Sequence, residues 1–410
     1  MTHAVPRPSD TSDPGDVPAP VSDRGLYFLT AASAVCVANA YYIHPIIATV
    51  ADDFQISDAL IGAVPALNQI ALALGILLLL PLGDRFSNRA LSGVFSLLQV
   101  AALVMMLIAE NYLLFVAGST VLGFFTIVPY LLPAYVSKRV PQERLGRAMA
   151  ILSTGIIGGI LLARVGSGAL AEITNWRAVY TVAAGLMLVF SVLLPLVMDG
   201  PRRPKSSAPK QSYARLIGSI WPMVRKHPEI IGAGTIQGLN FGIFLSVWMG
   251  LGLHLTSEKM GYGTDAVGYL AALALANLFV TPALGKWADR IGAHKARVRL
   301  ASVQFAGAAL FLVTGHSLWL LIIPILLTNV PGPGIDVAAR MMFLSEASDI
   351  RTRLMTVYIV MMFAIGGLAS WAGTAAYDFA GWTGNALLAI ALSSAVLTLS
   401  WRSLRRQGAV

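Results

Sequence analysis

Arg164 stands inside Gly158-Gly159-Ile160-Leu161-Leu162-Ala163-Arg164-Val165-Gly166-Ser167-Gly168, a stretch with no other charge. A guanidinium in such surroundings has two uses. Its planar fork can hold an anionic group through paired N–H bonds, or change partners as the molecule cycles between states. The structural alternative is that it reaches the nearby helix end or satisfies backbone carbonyls. His44 is the second candidate. It follows Asn39, Tyr41 and Tyr42 and precedes Pro45, a polar and aromatic grouping that suits the wall of a cavity. An imidazole titrates near neutral pH and could report a proton gradient, whereas a neutral ring bonded to a carbonyl would only pack. Asn68, Gln69, Gln237, Asn240, Asn277 and Tyr358 are polar residues isolated in other apolar runs. Each alone is as readily interhelical glue, but as a set they are expected to include residues that bind a substrate.

The carboxylates fall at the ends of the apolar runs. Asp336 follows Pro331-Gly332-Pro333-Gly334, and its place toward one end of its run favours a gate over a central proton site. Pro129 and Pro133 interrupt a run in nearly the corresponding place of the first half, the expected mark of helices that move or form a site. A charged turn, Leu80-Pro81-Leu82-Gly83-Asp84-Arg85-Phe86-Ser87-Asn88-Arg89, returns as Gly285-Lys286-Trp287-Ala288-Asp289-Arg290-Ile291-Gly292-Ala293-His294. Asp84 and Asp289 are 205 residues apart, while Gly62 and Gly268, Arg147 and Arg353, and Trp176 and Trp382 are each 206 apart. A fixed offset of half the chain is the signature of a tandem duplication.

The elements that must position these residues follow from composition. With 56% hydrophobic and only 12% charged residues in 410, the chain has about half the charge of a soluble domain. Twelve apolar runs, near 26–50, 58–80, 90–109, 112–136, 148–171, 177–198, 229–254, 266–284, 299–315, 317–338, 354–377 and 384–401, are each about long enough to cross a bilayer as a helix. The expected fold is an all-α polytopic membrane protein, with twelve transmembrane helices in two pseudo-symmetric six-helix bundles. Its parts are a disordered tail (1–25), a first bundle (26–198), a basic linker (199–228), a second bundle (229–401) and a short tail (402–410). The linker carries Arg202, Arg203, Lys205, Lys210, Arg215, Arg225 and Lys226, with an amphipathic stretch near 213–224 suited to an anionic lipid surface.

The net charge of +9 does not indicate nucleic acid, because the basic residues sit in short loops between apolar runs. Placing both termini in the cytoplasm puts 26 of the 29 Lys and Arg residues on that side, leaving Arg177 and Lys259 outside and Arg164 within a span. The single cysteine, Cys36, excludes a disulfide framework and a cysteine-based zinc site. No phosphate-binding lysine loop, metal-ligand spacing or nucleophile elbow is present, so neither an enzyme, a cofactor nor ATP-driven transport is expected.

Six plus six helices, a basic central loop and the repeated Asp-Arg turn together resemble the major facilitator superfamily of secondary transporters. The family's loop signature is G-x-L-A-D-R-x-G-R-K. Leu82, Gly83, Asp84 and Arg85 match it in the first copy; Gly285, Ala288, Asp289, Arg290 and Gly292 match it in the second. The resemblance implies two halves that rock about a central cavity, with the signature aspartate locking the cytoplasmic side. Arg85, Arg89, Arg144 and Arg147 are the candidate partners of that lock in the first half. The fifth run is also similar to the antiporter motif G-x-x-x-G-P-x-x-G-G through Gly159 and Gly168, but Arg164 replaces its proline. What the resemblance implies is a monomeric carrier in a bacterial inner membrane, exporting a small organic molecule in exchange for protons. The alternative is uptake of a small anionic metabolite through Arg164, and a remoter one is a transporter-like receptor. The orientation has a direct check. A reporter that is active only in the cytoplasm, fused after Val410, is expected to be active, and activity of an exported reporter there would reverse the topology.

Overall fold

The computed structural model describes residues 20–198, 213, 218, 220–343 and 348–408; at Asp84, Leu278, Ser348, Asp349, Arg351, Thr352, Gln407 and Gly408 it describes the backbone alone. Most of the expected tail and linker lie outside these residues. The spans are α1 (Asp23–Phe54), α2 (Asp58–Gly83), α3 (Asn88–Leu107), α4 (Tyr112–Ser137), α5 (Gln142–Ile173), α6 (Trp176–Val197) and α7 (Glu229–Leu255). Next come α8, a pair bent by 41° (Thr264–Leu275 and Phe279–Ile291), α9 (Ala293–Thr314) and α10 (Leu318–Met341). The last helical stretch, Arg353–Arg406, is interrupted at Ala380 and Gly381, where Gly381 takes φ 57°. That break divides it into α11 (353–379) and α12 (382–406), and no strand occurs among the described residues. The first helix begins at Asp23, capped by the Ser22 hydroxyl.

Several spans are broken, and proline is the cause. Proline has no N–H, so the carbonyl four residues before it loses its helical partner. Pro45 deprives Tyr41 in this way, and α1 opens into a turn over 39–42 between Asp23–Ala38 and Ile43–Phe54. Pro129 deprives Phe125, where α4 divides into Tyr112–Phe125 and Val128–Ser137. Pro331 and Pro333 do the same to α10, which divides into Leu318–Asn329 and Pro331–Met341. In hydrocarbon a freed carbonyl cannot turn to water, and the Tyr41 and Phe125 carbonyls turn to the backbone N–H groups of His44 at 3.3 Å and Ile127 at 2.7 Å.

Within each half the helices pack through backbone approaches that only small residues allow. A Cβ on Gly159 of α5 would meet the backbone of Ala34 on α1, and one on Gly123 of α4 would meet Asn68 of α2. Buried amides add hydrogen bonds between helices. Asn68 donates Nδ2 to the Ser119 carbonyl at 2.8 Å, joining α2 to α4. Asn385 of α12 donates to the carbonyls of Ser246 on α7 at 2.9 Å and Gly373 on α11 at 3.1 Å. The duplicated tryptophans occupy matching places at the starts of α6 and α12. Trp176 packs edge-on to Phe115 and Tyr180, and Trp382 stacks on His254 and donates Nε1 to Phe311 at 2.8 Å. Replacing Asn68 by Leu should lower stability by about 1 kcal/mol, the usual worth of a buried interhelical bond in a membrane. A melting curve in detergent checks it; unchanged melting would make Asn68 free for another role.

Candidate functional site at the junction of the halves

The break in α1 turns Tyr41 and His44 toward α5, with their rings 5.1 Å apart. Arg164 of α5 lies against them, fully enclosed at 2% exposure. Its Nη2 is 2.8 Å from His44 Nδ1. A guanidinium can only donate, so Nδ1 accepts, the imidazole is neutral and its proton is on Nε2. The guanidinium carbon also lies 4.5 Å from the ring centroids of both Phe244 and Trp248, and 5.5 Å from Tyr41. Phe244 and Trp248 belong to α7, in the second half. No carboxylate pairs with Arg164 among the described residues; π faces and one imidazole meet its charge. Each such desolvated cation–π contact is worth about 2 kcal/mol.

The same cation therefore ties the first half to the second, and backbone contacts flank it. A Cβ on Gly252 of α7 would lie 2.5 Å from the His44 carbonyl oxygen, and one on Gly268 of α8 would lie 2.9 Å from that of Arg164. Gly168 meets Thr264, and Gly62 at the start of α2 meets Thr374 near the end of α11. Glu172, at the end of α5, accepts from the Thr264 backbone N–H at 2.8 Å and from its hydroxyl at 3.2 Å, capping α8 across the junction. Every one of these contacts lies at the end of the spans opposite the termini. The two halves are thus closed together at that end.

A second polar cluster sits toward the other end, within the second half. Asp336 Oδ1 accepts from Arg340 Nε at 2.9 Å and from the Tyr358 hydroxyl at 2.7 Å. Arg297 of α9 lies beneath, 1% exposed, with Nη1 3.4 Å from the Met342 sulfur and Nε and Nη2 without a hydrogen-bond partner. Tyr358 thus belongs to this network rather than standing alone as a ligand.

The other sequence candidates are spread between packing and the junction. Asn39 donates to Gln99 at 3.1 Å, Asn240 to Gln237 at 3.0 Å and to the Gly332 carbonyl at 3.1 Å; these amides serve their own halves. Tyr42 is half-buried beside Phe241 and Tyr41. Gln69 is fully buried with neither amide atom bonded, and Asn277 keeps an unbonded Oδ1. The turn around Gly83 packs inside the first half, against Leu131 and Asn88. Arg85 lies over the Tyr213 ring at 5.9 Å, while the Asp84 side chain lies outside the described residues. Arg144 is paired with Asp23 on α1, Arg147 is exposed nearby, and Arg89 is half-buried in the first turn of α3. Gly285 faces Val337 of α10, and Asp289 and Arg290 are exposed. Phe244, Trp248, Glu172, Thr264, Arg297, Arg340, Gln99 and Gln304 were not singled out from the sequence. Phe and Trp in an apolar run give no sign that a cation lies beside them, and Glu172 falls just past the end of its run.

Residues 29–370 match the sequence model of the Major Facilitator Superfamily. The chain belongs to this family. Along its length it is similar to the uncharacterized transporter YgaY of Escherichia coli O157:H7, 25% identical over 391 residues, 94% of this chain and 96% of that one. The probable transporter SCO4007 of Streptomyces coelicolor is 29% identical over 378 residues, covering 92% and 86%. The multidrug resistance protein MdtG of Citrobacter koseri is 25% identical over 201 residues, 47% of this chain and 48% of its own. In fold the chain is similar to the nucleoside transporter NupG, with a TM-score of 0.76 at 14% identity over 93% of this chain and 98% of that one. A bacterial homologue of the lysosomal transporter Spinster, inward-facing and occupied, gives 0.73 at 14% identity over 95% and 98%. The chain is therefore a multi-pass membrane transporter and not an enzyme.

The role of Arg164 in closing the junction is open to test. Arg164→Lys keeps a charge but loses the flat faces set against Phe244 and Trp248, and Arg164→Ala loses both. Both variants should melt earlier, Ala by the equivalent of about 2 kcal/mol or more. Both should also expose a cysteine placed at Thr374 to an impermeant thiol reagent faster than the parent does. Labelling and melting equal to the parent would remove Arg164 from the closure.

Proposed function

We propose that this transporter is a monomeric exporter of small, largely apolar organic molecules from a bacterial cell, cycling by alternating access and driven by proton entry across the inner membrane. The observation that carries the reading is the occupied state of Arg164. Its guanidinium is already engaged by His44 and the rings of α7, which leaves it poorly placed to hold an anionic metabolite. The side chains around it favour apolar guests instead: Tyr130, Phe241, Phe244 and Phe363 come together from both halves, with Tyr130 and Phe363 at 6.1 Å and Phe241 and Phe363 at 5.5 Å. The partial likeness to a multidrug resistance protein supports the outward direction. With both termini in the cytoplasm, the closed end faces outward, away from the side where an exporter loads.

For coupling, His44 is the weaker candidate. Its Nδ1 lone pair is already engaged by a guanidinium, and protonating the ring would set two cations together in a dry site. Asp336 is better suited, since a carboxylate bonded by Tyr358 and Arg340 can take a proton when helix motion withdraws either donor.

Inside-out vesicles from expressing cells test direction and coupling together. They should accumulate aromatic amphiphiles such as ethidium when their lumen is acidified, and Asp336→Asn should lower that rate roughly tenfold or more, the equivalent of about 1.4 kcal/mol in barrier. Accumulation confined to right-side-out vesicles would overturn export. An Asp336→Asn variant as strongly gradient-driven as the parent would remove Asp336 from coupling. Uptake of a small anion, abolished by Arg164→Lys, would establish the alternative carrier.

A further inference from the structure

Gln99 of α3 and Gln304 of α9 are 205 residues apart, the same offset as Asp84 and Asp289. Both are buried, at 0% and 1% exposure. Each reaches across its own half to the break in the fourth helix of that half. Gln99 donates Nε2 to the Phe125 carbonyl at 3.1 Å, and Phe125 is the residue whose helical partner Pro129 cannot supply. Gln304 donates Nε2 to the Thr328 carbonyl at 3.3 Å, immediately before the Pro331-Gly332-Pro333-Gly334 break of α10. Each glutamine also bonds an asparagine on the first helix of its half. Asn39 of α1 donates to Gln99 Oε1 at 3.1 Å, and Gln304 donates to Asn240 Oδ1 of α7 at 2.9 Å. Asn240 extends the arrangement by donating to the Gly332 carbonyl at 3.1 Å, on the far side of the same break.

We propose that Gln99 and Gln304 are positioning residues for transport. Each joins the first helix of its half to the broken fourth helix, fixes the angle of the break, and so sets the balance between the two orientations of the carrier. The physical reason is the solvent. A carbonyl at a helix break in a dry bundle needs a donor. Although the Phe125 carbonyl also takes the Ile127 N–H at 2.7 Å, an amide reaching the break from another helix ties the break to that helix at the angle where the bond can form. Removing the amide removes that tie between helices, and the break relaxes to a different angle. Other buried amides lack this leverage: Asn385 bonds carbonyls of α7 and α11 that lie in continuous helix.

This proposal rests on membership of a family whose halves rock, and not on the direction of transport, so its test uses no substrate. The full chain in lipid nanodiscs carries spin labels at Thr174→Cys and Lys259→Cys, exposed positions in opposite halves at the closed end. Pulsed spin-resonance distances then report the ratio of closed to open molecules. Met matches the shape of Gln without its N–H donors, so Gln99→Met and Gln304→Met are the variants. Each should change the ratio by about fivefold or more, the effect of one lost hydrogen bond. Hydrogen exchange should rise at 123–130 in the first and at 326–334 in the second, each in its own half. Asn385→Leu is the control: it should lower the melting temperature but leave the ratio unchanged. Parental ratios in both glutamine variants would overturn the proposal. So would an equal change in Asn385→Leu, since the effect would then be general loosening. A variant too unstable to purify is replaced by Gln99→His or Gln304→His, which keep a ring N–H donor and should restore the parental ratio; failure to do so also overturns it.

Discussion

A single guanidinium held out of water sets the terms for this molecule. Arg164 can neither be neutralised at ordinary pH nor hydrated in place, so the chain must surround it with electron-rich groups. The nearest in the first half are His44 and Tyr41, made available only because Pro45 opens α1. The others are Phe244 and Trp248, available only while α7 stands close. The position of a helix in the opposite half thereby becomes a condition for the comfort of one side chain. The close backbone contacts at Gly168, Gly252 and Gly268 are what let the helices come near enough to meet it.

Charge in this structure divides into two regimes. Asp23 with Arg144, and Asp53 with Arg177 at 2.8 Å, are exposed pairs at the ends of spans, worth little beyond orientation. Arg164, Arg297 and Asp336 lie where water is scarce, and their partners are rings, a sulfur atom, a phenol and each other's neighbours. Two of these three have donors left over: Arg164 Nε, and Arg297 Nε and Nη2. Such groups are unsettled by small displacements, which is the property a cycling carrier requires.

The sequence made the fold legible because the bilayer leaves it few choices: long apolar runs must be helices, and the 205-residue offset declares two halves. The boundary between α11 and α12 was readable to within a few residues, since Gly381 interrupts the run. Arg164 and His44 could be singled out because ionisable groups in apolar runs are rare. Their pairing could not, because two residues 120 positions apart give no local sign that they meet. The aromatic rings on α7 were invisible for a different reason. In a span, Phe and Trp are ordinary lipid-facing or core residues until a cation is found beside them. Gln99 and Gln304 carry a usable signal, the duplication offset itself, but glutamine is common enough that the offset alone does not mark the pair.

The paired glutamines also bear on ancestry. Each meets a carbonyl at a helix break, each bonds the first helix of its half, and the two stand at the same offset as the duplicated turn. Two separate origins would need a break and the amide facing it to arise twice at the duplication offset. Descent from one six-helix ancestor needs them once. The bend in the fourth helix and the side chain that holds it are then older than the twelve-helix chain. The ancestral half already possessed a defined flexible point before it had a second half to move against.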